Sequence, residues 1–158
     1  MSSSIKNLSD FNSNTLPDGK GMCIGIVVSE WNSEITGALF DGAIQTLVKN
    51  GVLKDNIKIT SVPGSFELTF GAQALCEDER IDAVICLGCV IQGETKHFDF
   101  ICNAVANGIT NVSLKYNKPV IFGVLTTNTL EQAFDRAGGK HGNKGDEAAY
   151  TALKMCKF

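Results

Sequence analysis

Apolar positions alternate along this chain between short runs and longer stretches with helical spacing. The first run, residues 23–28, is rich in β-branched side chains and carries no charge, which is typical of a strand covered on both faces. Residues 83–87 and 119–125 are further apolar runs, and residues 57–62 end at a Pro-Gly pair. We therefore predict four strands, at residues 23–28, 57–62, 83–87 and 119–125.

The stretches between these runs carry apolar residues at intervals of three and four, as on one face of a helix. The pattern predicts helices after Ser33, over residues 66–77, after His97, over residues 130–137 and over residues 146–156. Ser33 and Ser65 are the predicted N-caps of the first two helices, and Asn50-Gly51 is the predicted stop of the first. Four strand and helix alternations predict a three-layer α/β fold with a parallel sheet and right-handed crossovers.

The two ends of the chain differ from this regular part. Residues 1–21 are polar, rich in Ser and Asn, and lack the apolar segment of a signal peptide, so we expect an N-terminal arm followed by a single domain over residues 22–158. Near the C-terminus, four glycines within residues 138–145 predict a fixed bend between the last two helices. No apolar run approaches the ~20 residues that cross a bilayer, so no membrane partner is expected.

Composition excludes several classes of protein. A net charge of −3, with 20% charged and 44% hydrophobic residues, favours neither disorder nor a nucleic-acid surface. Four of the six cysteines lie in or beside apolar runs, as reduced thiols of a cytoplasmic protein do. Cys86 and Cys89 form a C-x-x-C pair, but Cys86 lies within a predicted strand, which disfavours a redox site. Neither His97 nor His141 has a partner at zinc-ligand spacing, so no metal is expected.

Ligands of an open parallel sheet bind outside the carboxyl ends of its strands, so the residues after each strand are the site candidates. They form four groups: residues 29–32, with Trp31 and Asn32; residues 63–67, with Ser65, Phe66 and Glu67; residues 89–97; and residues 126–128. Trp31, the only tryptophan, is either a lid over the core or a stacking platform for a planar ligand. Glu67 either stabilises a helix dipole or binds a polyol.

Proton transfer and anion binding are both indicated around His97. An imidazole moves protons at neutral pH, although histidines in a first helical turn are more often structural. The turn before it, Gly93-Glu94-Thr95, offers backbone N–H groups to a phosphate, or Thr95 serves as a plain N-cap. Arg136 and Lys144 flank the glycine-rich bend, where they neutralise a phosphate or lie in solvent. The usual phosphate-loop, dinucleotide and serine-hydrolase motifs are absent from the sequence.

Four spaced segments together resemble one known family. Residues 62–67 (VPGSFE), 87–99 (LGCVIQGETKHFD), 119–126 (PVIFGVLT) and 137–145 (AGGKHGNKG) closely resemble 6,7-dimethyl-8-ribityllumazine synthases, and the match runs from about residue 22 to the C-terminus. The resemblance implies an α/β/α sandwich with a four-stranded parallel sheet, flavodoxin-like in architecture. It also implies the penultimate step of riboflavin biosynthesis, the condensation of 5-amino-6-(D-ribitylamino)uracil with 3,4-dihydroxy-2-butanone 4-phosphate, which releases phosphate and water. No cofactor is implied.

The resemblance assigns roles to individual residues. His97 is the expected proton-transfer residue, and Glu147 is a candidate to orient it from the last helix. The expected pyrimidine and ribityl contacts are Trp31, Ser65, Phe66, Glu67, Cys89, Val90 and Ile91, with Asn32 in support. The expected phosphate contacts are Glu94, Thr95 and Arg136, with Lys144 nearby. Phe122 matches a position that lines the active site of the neighbouring subunit.

The resemblance also implies an assembly. Members of the family form pentamers, in many cases sixty-subunit shells, and riboflavin synthase is a candidate partner. Three residues depart from the family's usual pattern: Gln92 for a basic residue, Trp31 for phenylalanine and His141 for alanine. Two alternatives to catalysis remain open on the sequence, namely a flavin or lumazine carrier with the same fold and a scaffold whose site has decayed.

Overall fold

A computed structural model of the protein describes Ser9 and residues 16–158. The predicted arm, residues 1–21, therefore lies in large part outside the described residues, since residues 1–8 and 10–15 are not among them. Ser9 contacts the opposite end of the chain, because its hydroxyl accepts a hydrogen bond from the Asn143 amide at 2.6 Å and lies 3.0 Å from the Asn143 carbonyl.

Four parallel strands form the central sheet in the order β2-β1-β3-β4. The strands are β1 (Ile24–Ser29), β2 (Ile57–Val62), β3 (Ala83–Ile91) and β4 (Val120–Thr127). The helices are α1 (Ser33–Lys49), α2 (Leu68–Cys76), α3 (His97–Tyr116), α4 (Leu130–Asp135) and α5 (Lys144–Met155). A small antiparallel hairpin, β5 (Ala137–Gly139) and β6 (Gly142–Asn143), joins α4 to α5.

Each face of the sheet carries its own core, because successive residues of a strand point to opposite faces. Ile26 and Leu87 pack with Leu39 of α1 and Leu153 of α5. Val27 and Cys86 belong to the opposite cluster; its helical members include Leu68, Ala72, Val105 and Ile109 of α2 and α3. Each fully buried leucine or isoleucine contributes about 1.5–3 kcal/mol through the hydrophobic effect. The predicted three-layer, flavodoxin-like α/β/α architecture is confirmed.

The third strand is longer than the apolar run 83–87 predicts. β3 continues through Ile91 and pairs Gly88 with Val124 and Ile91 with Thr127. The prediction was wrong because Gly88 was interpreted as a loop residue. Gly88 lies within the strand, where the lack of a side chain allows Ser65 and Leu68 to pack closely against it. A Cβ atom there would lie 2.7 Å from Ser65 Oγ and 2.8 Å from Leu68 Cδ1.

Both predicted N-caps are displaced by one residue or more. Ser33 is the first residue of α1, and its N-cap is Asn32 in the left-handed conformation, with φ 59°. Ser65 begins a 3₁₀ turn rather than capping a helix, so the single helix predicted over 66–77 is a short turn followed by α2. The predicted stop of α1 is confirmed, because Asn50 is its C-cap and Gly51 has φ 95°.

The glycine-rich bend is a hairpin, which the sequence did not predict. Gly138 and Gly142 have φ values of 109° and 84°, so these two positions favour glycine. α5 begins at Lys144, two residues earlier than predicted, and the Asn143 side chain caps it by accepting the Gly145 amide at 2.7 Å. Across the described part of the chain, no helix is both long and apolar enough to cross a membrane.

Candidate active site

A cleft of about 190 Å³ opens at the carboxyl edge of the sheet, beside the switch point between β1 and β3. Its lining comes from the ends of three strands and the start of α3, and comprises Trp31, Asn32, Ser65, Phe66, Cys89, Val90, Ile91, His97 and Ile101. Eight of these nine residues were predicted site residues. Ile101 was missed as a site residue, although its position one helical turn after His97 was the available signal.

Two side chains tie the strand ends together at the carbonyl of Cys89. Asn32 Nδ2 donates to this oxygen at 3.0 Å, and Ser65 Oγ lies 3.5 Å from it. The left-handed backbone of Asn32 precedes α1 and aims its amide toward β3 rather than at the helix terminus. The loops after β1 and β2 are therefore both anchored on β3, which gives the cleft a rigid floor.

Trp31 lies at the mouth of this cleft with 66% of its surface exposed. Its backbone N–H donates to the Pro63 carbonyl at 3.0 Å, which joins the loop after β1 to the loop after β2. A lid over the core would be largely covered by protein, so the exposure favours the stacking-platform interpretation.

The Glu67 carboxylate makes a hydrogen bond within the protein, in addition to its predicted role in ligand binding. Its Oε2 accepts the backbone N–H of Gly64 at 3.0 Å, which closes the turn at the start of the 3₁₀ segment. Ser65 is 5% exposed in the same turn, whereas Phe66 is 55% exposed. The turn therefore presents one aromatic ring and one partly buried carboxylate beside the cleft.

His97 is the first residue of α3, and its side chain is exposed at the cleft. The backbone N–H of His97 donates to the Thr95 hydroxyl at 3.3 Å, and this hydrogen bond stabilises the turn before the helix. Gln92 continues the strand pairing through its N–H to the Thr127 carbonyl at 2.8 Å, and its side-chain Nε2 donates to the Gly93 carbonyl at 2.8 Å. Glu94 and Thr95 are exposed in this turn.

The cysteines beside the cleft are not poised for thiolate chemistry. All six are free thiols, and burial raises the pKa of Cys89 to about 11. Burial also raises the pKa of Cys86, so both thiols of the C-x-x-C pair stay protonated at neutral pH. This agrees with the prediction against a redox site. Among the residues that the structure describes, no cluster of three or more His, Cys, Asp or Glu side chains is arranged to hold a metal ion.

Arg136 and Lys144, the cationic side chains predicted near the phosphate, line a second cleft of about 480 Å³ between the end of β4 and the hairpin. Its lining consists of Val124, Leu125, Thr126, Thr127, Gln132, Asp135, Arg136, Lys140, His141 and Lys144. Arg136 Nη2 lies 2.7 Å from Glu147 Oε1, and its Nη1 donates to the His141 carbonyl at 2.6 Å. Lys144 Nζ lies 3.4 Å from Glu147 Oε2.

Within one chain, the predicted site residues that line a cleft thus form two groups rather than one. Arg136 and Lys144 line the second cleft and not the cleft of His97. Glu147 pairs with these two cations. Phe122, half-buried on β4, packs against the α2 and α3 core and lines neither cleft.

Comparison with known proteins gives a consistent result. A family model described as 6,7-dimethyl-8-ribityllumazine synthase matches residues 21–158. A Cytophaga hutchinsonii protein of that name is 66% identical over 155 residues, which cover 98% of this chain and 97% of the relative. A Parabacteroides distasonis protein of the same name is 56% identical over 158 residues, covering 100% of this chain and 99% of the relative. A Phocaeicola vulgatus relative with this name is 51% identical, with 100% and 94% covered.

Proposed function

Because the chain belongs to the 6,7-dimethyl-8-ribityllumazine synthase family and is an enzyme of riboflavin biosynthesis, we propose that it condenses a ribitylated pyrimidine with a four-carbon phosphate. The proposed substrates are 5-amino-6-(D-ribitylamino)uracil and 3,4-dihydroxy-2-butanone 4-phosphate. The products are 6,7-dimethyl-8-ribityllumazine, inorganic phosphate and water.

The chemistry needs positioning and proton transfer rather than a cofactor. The 5-amino nitrogen attacks the ketone carbon, and loss of water gives an imine. Removal of the proton at C3 then expels phosphate from C4, and reprotonation at C4 forms a methyl group. The ribitylamino nitrogen attacks the new ketone at C3, and loss of a second water closes the ring.

The observation that carries the proposal is the shared cleft of Trp31, His97 and the end of β3. A flat ring, a row of backbone groups at Cys89, Val90 and Ile91, and an imidazole face one space. We assign the pyrimidine to the strand end beside Trp31, the ribityl chain to Ser65, Phe66 and Glu67, and proton transfer to His97. Asn32 supports this arrangement through its bond to the Cys89 carbonyl.

A phosphate group is bound more strongly beside a cation, and the described lining of the His97 cleft includes no lysine or arginine. We assign the phosphate to the turn at Glu94 and Thr95 together with Arg136 of a neighbouring subunit, with Lys144 nearby. Phe122 would join that neighbouring contribution. This division of the site supports a homo-oligomer, and we propose the pentamer, with a sixty-subunit shell as its larger form.

Several further features belong to the same proposal. The catalytic unit is the single domain 22–158, preceded by the polar arm 1–21, and it acts in the cytoplasm without a cofactor. Riboflavin synthase is the proposed protein partner, because it consumes the lumazine product.

The test is turnover by the purified protein. Both substrates are mixed with the wild-type protein, and the fluorescent lumazine is followed against the spontaneous reaction. We expect strong acceleration, and we expect His97→Ala to lower kcat by about 100-fold or more, since general acid–base catalysis contributes about 100-fold to 10,000-fold. Thermal unfolding and light scattering of the variant check that folding and assembly are unchanged. No acceleration by the wild-type protein would overturn the proposal.

A further inference from the structure

Gly64 is a buried glycine whose backbone does not require glycine. Its φ and ψ are −134° and 177°, which is extended backbone that any residue adopts. Its N–H donates to Glu67 Oε2, as the backbone of another residue type would also do. The packing around Gly64, and not its backbone conformation, therefore explains why this position is a glycine.

The indole of Trp31 occupies the space that a side chain at Gly64 would take. A Cβ atom on Gly64 would lie 2.7 Å from Trp31 Cε3 and 2.8 Å from Trp31 Cζ3. Carbon atoms of separate residues pack at about 3.5–4.0 Å, so the ring would have to move. The same Cβ atom would lie 3.1 Å from Glu67 Oε2, a smaller conflict with the end of a flexible side chain.

One contact seats the ring, and another fixes the backbone that carries it. The six-membered part of the indole packs against Gly64, and the backbone N–H of Trp31 donates to the carbonyl of Pro63, the residue before Gly64. The ring is nevertheless 66% exposed, so most of its surface remains accessible at the mouth of the cleft. A ring that is already held in place loses less conformational freedom when a planar ligand stacks on it.

We propose that Gly64 is a positioning residue that seats the Trp31 ring for stacking on the pyrimidine substrate. The inference rests on the proposed function for the identity of the ligand, but the seat itself is a property of the free protein. Gly64 acts through Trp31 and contacts no reacting atom. It sets the affinity for the planar substrate rather than the rate of the chemical steps.

The first test uses the free protein, in which Trp31 is the sole tryptophan and reports alone. Gly64→Ala should release the ring. The exposed fraction of Trp31 would rise from 66% toward full exposure, so the acrylamide quenching constant should rise by about 1.5-fold. Fluorescence anisotropy should fall. Gly37→Ala is the matched control, because a Cβ atom at this glycine of α1 would have no heavy atom of the described residues within 4 Å beyond the neighbouring helix backbone. Unchanged quenching in Gly64→Ala would overturn the proposal.

The second test uses turnover. Gly64→Ala should raise KM for the pyrimidine substrate about ten-fold, the scale of a lost base–aromatic stack, and change kcat and the KM of the phosphate substrate by less than about two-fold. In a Trp31→Ala background the same substitution should add less than about two-fold, because the ring it displaces is gone. A full ten-fold effect in that background would place the cause at Glu67 and overturn the proposal.

The two tests separate this inference from the proposed function. If the wild-type protein does not turn over, the assigned reaction fails, while quenching in Gly64→Ala still decides whether the seat exists. If turnover occurs but KM for the pyrimidine does not change, the reaction stands and the positioning role fails.

Discussion

The guanidinium of Arg136 and the carboxylate of Glu147 lie 2.7 Å apart, with only 13% and 14% of their side chains exposed. The second guanidinium nitrogen donates to the His141 carbonyl, so two bonds fix the orientation of the planar group. The neighbouring pair Lys140 and Asp135 differs, because the lysine side chain is 63% exposed. Glu147 therefore acts on Arg136 in its own chain, which is a different role from the orientation of His97 expected from the sequence.

Glu147→Gln should weaken phosphate binding by loosening Arg136. The substitution removes the charge that balances two cations, Arg136 and Lys144, in a largely buried place. We expect KM for the four-carbon phosphate to rise about ten-fold and the free energy of unfolding to fall by about 3 kcal/mol. Steady-state kinetics with each substrate varied in turn measures the first effect, and urea unfolding measures the second.

Glu34→Gln is the control for Glu147→Gln, because Glu34 is also in the first turn of a helix but is exposed. It should change neither quantity appreciably. A rise in KM for the pyrimidine alone would contradict the role of Glu147 at the phosphate and would favour an action on the other half of the site.

Gly145→Ala should destabilise the fold through the contact between α1 and α5. A Cβ atom at Gly145 would overlap the backbone carbonyl of Leu39, and a carbonyl within α1 cannot move away independently. We expect the free energy of unfolding to fall by about 3 kcal/mol, as for other overpacked positions. Gly37→Ala should instead raise it by up to about 1 kcal/mol, since alanine favours a helix more than glycine does and the added Cβ atom would meet no described heavy atom within 4 Å beyond the neighbouring helix backbone. Equal effects of the two substitutions in urea unfolding would contradict this prediction.

Asp146 should make stability depend on pH in the acid range. Burial raises its pKa, the charge of Glu147 raises it further, and a hydrogen bond with Thr46 opposes the change. A raised pKa means that the folded form binds the proton more tightly than the unfolded form does. The free energy of unfolding contributed by Asp146 therefore falls as pH rises from the unfolded pKa of about 3.9 through the folded value.

The measurement for Asp146 compares wild type and Asp146→Asn by urea unfolding from about pH 3.5 to about pH 7. The stability of the wild type relative to the variant should decrease as the pH rises. Asp41→Asn removes an exposed carboxylate from α1 and serves as the control. A relative stability of the wild type that increases with pH would mean that the pKa of Asp146 is lowered instead.

The strands and their layers followed from the sequence because parallel strands covered on both faces must be apolar along their length. The ends of elements did not, because local residue types have several uses. Gly88 lies within a strand, where the absence of a side chain lets Ser65 pack closely. The N-cap of α1 is Asn32 and not Ser33, and the Asn32 side chain binds the Cys89 carbonyl of β3. These choices depend on contacts between residues that are distant in the chain.

The cleft was predictable for a related reason. Trp31, Ser65 and His97 follow three strands whose carboxyl ends share one edge, so sheet topology alone brings them together. Nothing in the spacing of Arg136 indicated whether it lies with His97 or apart from it, because the hairpin that follows it, and whose His141 carbonyl accepts from its guanidinium, was not predicted. Its separation from that cleft is a result of tertiary structure, and in the proposed oligomer it makes the source of the arginine at each site a question for experiment.

A mixed-subunit experiment answers this question. His97→Ala and Arg136→Ala should each be nearly inactive alone, with assembly checked by light scattering. Suppose that each site takes His97 from one subunit and Arg136 from its neighbour, and that equal amounts of the two variants assemble at random. Half of the sites then have a wild-type His97, and half of those also receive a wild-type Arg136. Activity should then recover to about a quarter of the wild-type value. If both residues acted from one chain, every site would carry one of the two lesions, and the mixture would stay at the level of the separate variants.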